Sequence, residues 1–266
     1  MKLFGSDYDG TFYKHKNRGE NELEENKAAV EKWRSAGNLF AFATGRAINE
    51  MASARFIDGA EFDYLIGLNG GIVIDAKDAV IFRALIEPEI AEKIVKLIET
   101  HGFKRVNVTD GFKGYYASAS WINDEMKALA KKHKIEKDMI ESFQLTLEEA
   151  LQNPVAMIAV ETDNPEEANA FAAVVNETFS GQVTAFSNLQ HVDISAFGLS
   201  KATGLEQLAK LHNIEHANVY GMGDSYNDVP MLEKFHGFTL PEANAEIQSF
   251  ADEIYPTVGA ALEDLL

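Results

Sequence analysis

The sequence predicts an α/β protein: a Rossmann-like parallel sheet built from both ends of the chain, with an α+β domain inserted between them. Three observations carry this expectation. Both outer thirds alternate short apolar runs with amphipathic segments, the rhythm of βαβ units. The middle third breaks that rhythm with hairpin-like pairs and isolated helices. Three polar clusters, DYDGT, ATGR and GDSYND, each follow directly on an apolar run, where open α/β sheets gather their ligands.

Taken in order, Met1–Ser6 reads as a short strand, followed by the polar loop YKHKNRGEN. Asn21, with Glu24 three residues later, has the pattern of a capping box. It opens a helix through Leu23, Val30 and Trp33 that stops at Gly37. LFAFA (39–43) is apolar throughout, as expected of a strand buried on both faces. RAINEMASARF reads as a helix and YLIGLN (64–69) as the next strand, with right-handed crossovers between them. GGIVIDAKDAVIFRA is a hairpin. EPEIAEKIVKLIETHG is an amphipathic helix with Pro88 near its start and Gly102 just past its end. The strands RVNVTD and GYYAS, a Lys-rich helix, the strand PVAMIAV, the helix PEEANAFAAVVNETF and the strand GQVTAFS complete the insert. The predicted boundaries give a discontinuous core, 1–83 and 189–266, and an inserted domain, 84–188. QHVDISA then reads as a core strand. KATGLEQLAKLHN is a helix with Leu205, Leu208, Ala209 and Leu211 on roughly one face, and NVYGMGD is a strand. VPMLEKF, EIQSFA and GAALEDLL are later helices.

Composition narrows the function classes. The chain has no cysteine, which excludes disulfides and thiolate metal sites and suits a cytoplasmic protein. No signal peptide is visible. No run approaches the roughly 18–20 apolar residues of a membrane span, so no membrane role is expected. A formal net charge of −18 disfavours nucleic acid, whose phosphates need a basic surface. A small anion would need a local positive pocket.

The clusters suggest what fills that pocket. Asp7 and Asp9, two residues apart, repel each other and call for compensation; taken alone the pair also fits an acidic turn. A calcium loop fits poorly, because Gly10 is fourth rather than sixth and no matching Glu follows. GMGDSY fails as a dinucleotide loop, since Tyr226 stands where a third Gly is required. If Asp224 lies beside Asp7, the two make an oxygen-rich site for a hard cation, and Mg²⁺ is the expected cofactor. In FATGR the Thr44 hydroxyl and nearby backbone N–H groups at a helix start would meet an anion, with Arg46 a further donor. Lys201, in the first turn of a helix, is exposed on the general habit of lysine. It becomes useful only if carboxylates and a phosphate lie nearby. The loop after Tyr13, with Lys14, Lys16 and Arg18, reads as surface or as a positive lip.

Taken together, D-Y-D-G-T, A-T-G-R, Lys201 and G-D-S-Y-N-D resemble the four motifs of the haloacid dehalogenase superfamily of phosphohydrolases. The placement of the insert, and N-G-G at 69–71, resemble its Cof-type branch, in which an α/β cap interrupts the core. The resemblance implies a HAD-like fold and a Mg²⁺-dependent phosphatase of small phosphorylated metabolites, such as sugar phosphates, nucleotides, flavin mononucleotide or pyridoxal phosphate. It implies Asp7 as nucleophile and Asp9 as general acid. Thr44, Gly45, Lys201 and Asn227 would hold phosphate. Asp7, the backbone carbonyl of Asp9, and Asp224 would bind the metal, with Asp228 behind them. Arg46 and Asn69 would reach substrate. Tyr8, where the family has a plain apolar residue, and Gly71, for the usual Ala, depart from the pattern. A phosphomutase of the same superfamily is the alternative enzyme, separated by whether free inorganic phosphate is the product. A phospho-ligand binding module is the alternative class, and the second acid, Asp9, argues against it. A transport ATPase is excluded, because those enzymes carry D-K-T-G-T and membrane spans. The resemblance says nothing of oligomeric state.

Overall fold

A computed structural model describes residues 1–14, 20–48, 51, 59–103, 105–117 and 145–266. The chain divides into two compact units, Met1–Arg83 with Leu199–Leu266, and Ala84–Gly198. The first unit opens with β1 (Leu3–Ser6), α1 (Glu20–Ser35), β2 (Leu39–Ala43), β3 (Tyr64–Gly67), β4 (Ile72–Asp75) and β5 (Val80–Arg83). Helix α1 already includes Asn21, so that residue is not its cap, contrary to the capping-box expectation. The helix expected over RAINEMASARF, the Lys-rich helix, Lys16 and Arg18 lie largely or wholly outside the described residues. Lys14 does not point to an open lip: its ammonium is 3.1 Å from Glu22 and 3.6 Å from Glu242.

The second unit contains α2 (Pro88–Thr100), β6 (Arg105–Thr109), β7 (Gly114–Ala117), α3 (Leu147–Ala150), β8 (Met157–Glu161), α4 (Pro165–Thr178), β9 (Val183–Asn188) and β10 (His191–Ala196). Its strands form an antiparallel sheet in the order β7-β6-β8-β10-β9. Alternate residues Val106, Val108, Ile158, Val160, Val192 and Ile194 pack against Ile94 and Ile98 of α2 and Phe171 and Val175 of α4. The boundary at 188/189 expected from the sequence is corrected here. Strand β10 pairs with β8 and β9, so the division falls after Gly198.

The chain returns to the first unit with α5 (Lys201–Leu211), β11 (Val219–Met222), α6 (Val229–Lys234), β12 (His236–Thr239), α7 (Ala245–Gln248), β13 (Glu253–Ile254) and α8 (Val258–Leu265). The sheet order is β13-β12-β11-β1-β2-β3-β4-β5. The run from β13 to β3 is parallel, and β4 and β5 add an antiparallel hairpin. Strand order reverses at β1, whose neighbours are β2 on one side and β11 on the other. Such a switch point opens a crevice at the carboxyl ends of the strands.

The two faces of this sheet differ chemically. One carries an aromatic row in which Phe4 packs against Phe40, Tyr220 and Phe238, with Trp33 of α1 edge-on at 6.1 Å. The other is aliphatic: Leu3, Ala41, Ala43 and Ile66 receive Ala202, Leu205 and Leu208 of α5 and Met231 of α6. Strand alternation puts Leu3, Gly5 and then Asp7 on the α5 side. That parity brings the start of α5 to the end of β1. Among the described residues, no helix is long and apolar enough to cross a membrane.

Candidate active site

Asp7 leaves the end of β1 with its N–H donating to the Met222 carbonyl at 2.8 Å. The sheet therefore holds the backbone of Asp7 beside the end of β11. The turn after it closes tightly: Gly10 N–H donates to Tyr13 O and Tyr13 N–H to Tyr8 O, both at 2.8 Å. Gly10 has φ +87, and a Cβ there would lie 2.8 Å from Asp224 Oδ2. Only glycine allows this approach of the two motifs without strain.

Lys201 is 1% exposed, not on the surface as lysine habit suggests. Ser200 caps α5 by accepting from Thr203 N–H, which puts Lys201 at the first helical position. Its Nζ donates to Asp7 Oδ1 at 2.7 Å and to Asp228 Oδ1 at 2.6 Å. Asp228 Oδ2 accepts from the N–H groups of Asp224 (3.1 Å) and Ser225 (2.9 Å). Asp228 is thus engaged on both oxygens by the chain itself. Asp224 Oδ1 accepts from Thr11 Oγ1 at 2.6 Å.

Asp7, Asp224 and Asp228 each offer an oxygen within 4.8 Å of the others. The ammonium of Lys201 bonds two of the three carboxylates, so it supplies part of the compensation expected of a cation. The imbalance shows in the electrostatics. Burial pushes the Asp7 carboxyl well above its ordinary range; Lys201 pulls it back, while Asp228 and Asp224 push it further up. Burial, then Asp228, also raises Asp224, and the Thr11 hydroxyl opposes this. Burial alone would lower Lys201, but Asp228 and Asp7 outweigh it and hold the ammonium above its ordinary range. An all-oxygen donor set with excess negative charge fits a hard divalent cation.

The second motif sits beside the first. Thr44 is 2% exposed; its N–H donates to Ile66 O at 2.8 Å, and its Oγ1 accepts from Arg46 N–H at 3.1 Å. The hydroxyl hydrogen is left for another acceptor. Gly45 and Arg46 form a bend in the chain directly after Thr44. Asn69 N–H donates to Thr44 O at 3.0 Å. Asn69 is left-handed, φ 50, and its Oδ1 accepts from Asn227 Nδ2 at 3.1 Å. Asn227 is 3% exposed, with its own Oδ1 buried and unpartnered. Arg46 does not stand free: Nη2 donates to Asp9 Oδ1 at 2.5 Å. The structure therefore brings Asp7, Lys201, Asp224 and Asp228 into one cluster, pairs Arg46 with Asp9, and links Thr44 through Asn69 to Asn227.

Two residues had no assigned task in the sequence. Thr11 is fully buried and bonds Asp224; its signal was its place as the last letter of DYDGT. Tyr8 is 1% exposed, with its ring 5.8 Å from the Arg46 guanidinium carbon.

The sequence model of the haloacid dehalogenase-like hydrolases matches residues 4–260. The chain is 24% identical over 246 residues to the 5-amino-6-(5-phospho-D-ribitylamino)uracil phosphatase YbjI of Escherichia coli, covering 92% of this chain and 86% of that protein. It is 23% identical over 248 residues to the phosphatase of the same name, YwtE, of Bacillus subtilis, covering 88% and 85%. A solved phosphatase of the haloalkanoate (HAD) superfamily from Bacteroides thetaiotaomicron is 24% identical. It superposes with a TM-score of 0.74 over 100% of this chain and 94% of that one, a likeness of fold.

Proposed function

The chain belongs to the haloacid dehalogenase-like hydrolase family and is a phosphatase of that superfamily, and on that premise we propose that it is a Mg²⁺-dependent phosphatase of small phosphorylated metabolites, acting through an aspartyl-phosphate on Asp7. The observation that carries this reading is the contact of Lys201 with Asp7 at 2.7 Å inside a buried group of three carboxylates. A carboxylate so placed is oriented by the chain and crowded by its neighbours, which suits a nucleophile.

Asp7 attacks phosphorus as the bond from phosphorus to the leaving oxygen breaks, and Asp9 gives that oxygen a proton. Water then attacks the phosphorus of the aspartyl-phosphate and Asp9 takes a proton from it. The bond from Asp7 to phosphorus breaks, releasing inorganic phosphate. Thr44, with its unspent hydroxyl hydrogen, the Gly45 backbone, Asn227 and Lys201 hold the phosphoryl oxygens. Asp7, the Asp9 carbonyl and Asp224 would hold Mg²⁺, with Asp228 orienting Lys201 and the Asp224 backbone. Bound Mg²⁺ supplies neutralisation of the carboxylates and of the transferring phosphoryl charge. The inserted unit, 84–198, acts as the cap that chooses the leaving group. The names of the curated relatives support a substrate whose phosphate sits on a sugar-like or polyol carbon.

The test is a panel of phosphate monoesters assayed with Mg²⁺ for free phosphate. The wild-type chain is expected to turn over and, on rapid acid quench, to yield a phosphoenzyme on Asp7. Asp7→Asn is expected to lose both, by at least ~10⁴-fold in kcat. A phosphoenzyme formed by Asp7→Asn at the wild-type rate would sink the assignment.

A further inference from the structure

We propose that Arg46 is not a substrate ligand but a positioning residue for Asp9, clamped between that carboxyl and the ring of Tyr8; the proposal rests on the reading of Asp9 as general acid. Three observations support it. First, Arg46 reaches across from the second motif to the first, and Nη2 donates to Asp9 Oδ1 at 2.5 Å. Second, its guanidinium carbon stands 5.8 Å from the Tyr8 ring centroid, within the range of a cation–π contact. That ring is immobilised in turn: it stacks on Phe12 at 6.1 Å and Tyr13 at 5.8 Å, and meets Phe42 edge-on at 5.2 Å. Third, the Arg46 backbone is fixed at both ends. Its N–H donates to Thr44 Oγ1 at 3.1 Å and its carbonyl accepts from Leu68 N–H at 3.0 Å.

The chemistry follows from which oxygen is used. Arg46 binds Oδ1 through Nη2. Arg46 on Oδ1 therefore helps to set the rotation of the carboxyl, and with it where Oδ2 points. The guanidinium is held toward Asp9 by that hydrogen bond, with the Tyr8 ring centroid 5.8 Å from its carbon. The departure at position 8 gains a purpose here, since a plain apolar side chain would offer Arg46 no π face.

The two roles predict different kinetics. Loss of a phosphate ligand weakens every phosphate ester alike. Loss of a positioner for the general acid matters most when the leaving oxygen needs a proton. Arg46→Gln is therefore expected to lower kcat by roughly 10–100-fold on an alkyl phosphate and less than about threefold on p-nitrophenyl phosphate, a fraction of the ~10²–10⁴ carried by general acid catalysis. Tyr8→Leu should show the same pattern more weakly. Arg46→Lys, which keeps the charge but not the planar fork, should recover only part of the loss. In the Asp9→Asn background, Arg46→Gln should add almost nothing, the non-additivity of two residues acting as one. A raised KM with equal losses on both esters, or full additivity with Asp9→Asn, overturns the proposal. If Asp9→Asn itself loses both esters equally, the general-acid reading falls and takes this proposal with it. If Asp9→Asn discriminates between the esters and Arg46→Gln does not, only the role of Arg46 falls.

Discussion

Asp7 is held in the folded chain among two further carboxylates and the ammonium of Lys201, nearly out of solvent. Burial raises its carboxyl above the ordinary 3.8, so the folded state binds that proton more tightly than the unfolded state. Stability from this group is full at pH below 3.8 and is lost as pH rises through the raised value. Asp7→Asn removes that dependence. With metal chelated, urea unfolding of wild type and Asp7→Asn should agree most closely at acid pH. The variant should become the more stable as pH rises to neutrality. The opposite order at neutral pH would mean that Lys201 needs the Asp7 charge more than the site suffers from it. The meeting of Asp7 with Asp224 was legible in the sequence, because each follows a strand-like run at one end of a parallel sheet, and the structure brings the two together. The burial of Lys201 was not. A lone lysine belongs on the surface by habit, and its partner Asp7 is 194 positions away. Likewise, nothing local says that Arg46 is spent on Asp9, 37 positions away.

At the scale of elements, apolar runs located β1, β2, β3 and β11, LFAFA above all, whereas β12 (His236–Thr239) and β13 (Glu253–Ile254) carry no such run. The misplaced element was β10. Its alternation, Val192 and Ile194 buried with His191 and Asp193 only half-buried between them, is the period of an antiparallel strand. That period marks it as part of the second sheet. The turn Leu68–Gly70 shows what periodicity does not report. Gly70 has φ +97, and a Cβ there would lie 2.2 Å from the carbonyl oxygen of Ser200. Ser200 is the cap that sets Lys201 at the head of α5, and the neighbouring Asn69 holds Asn227. Gly70→Ala combines a disfavoured backbone with overpacking, each costing about 1–3 kcal/mol. It should destabilise the chain by about 3 kcal/mol in urea unfolding and lower kcat/KM on p-nitrophenyl phosphate, because the two elements carrying Lys201 and Asn69 must part. A change under ~0.5 kcal/mol would show that the turn relaxes freely.

At the scale of the molecule, two sheets each close their own apolar core, one under α2 and α4 and the other under α5 and α6. Their separation was legible as a change of rhythm along the chain, whereas the carboxylate cluster belongs to the first unit alone. Charge makes this separation testable. A cation that binds the folded first unit and not the unfolded chain stabilises it by RT ln(1 + [Mg²⁺]/Kd), about 2.7 kcal/mol at 100 times Kd. Amides that exchange only when that unit opens should then slow by roughly 100-fold. Hydrogen exchange read by mass spectrometry should show this protection in β1 and β11, which flank the site. Strands β6 and β8 of the second unit should exchange at the same rate with and without Mg²⁺. Asp224→Asn should abolish the effect in β1 and β11 while leaving β6 and β8 as they were. Equal slowing in both sheets would mean that the two units open as one cooperative body. No slowing in either, at a Mg²⁺ concentration that supports turnover, would remove the carboxylate cluster from consideration as the metal site.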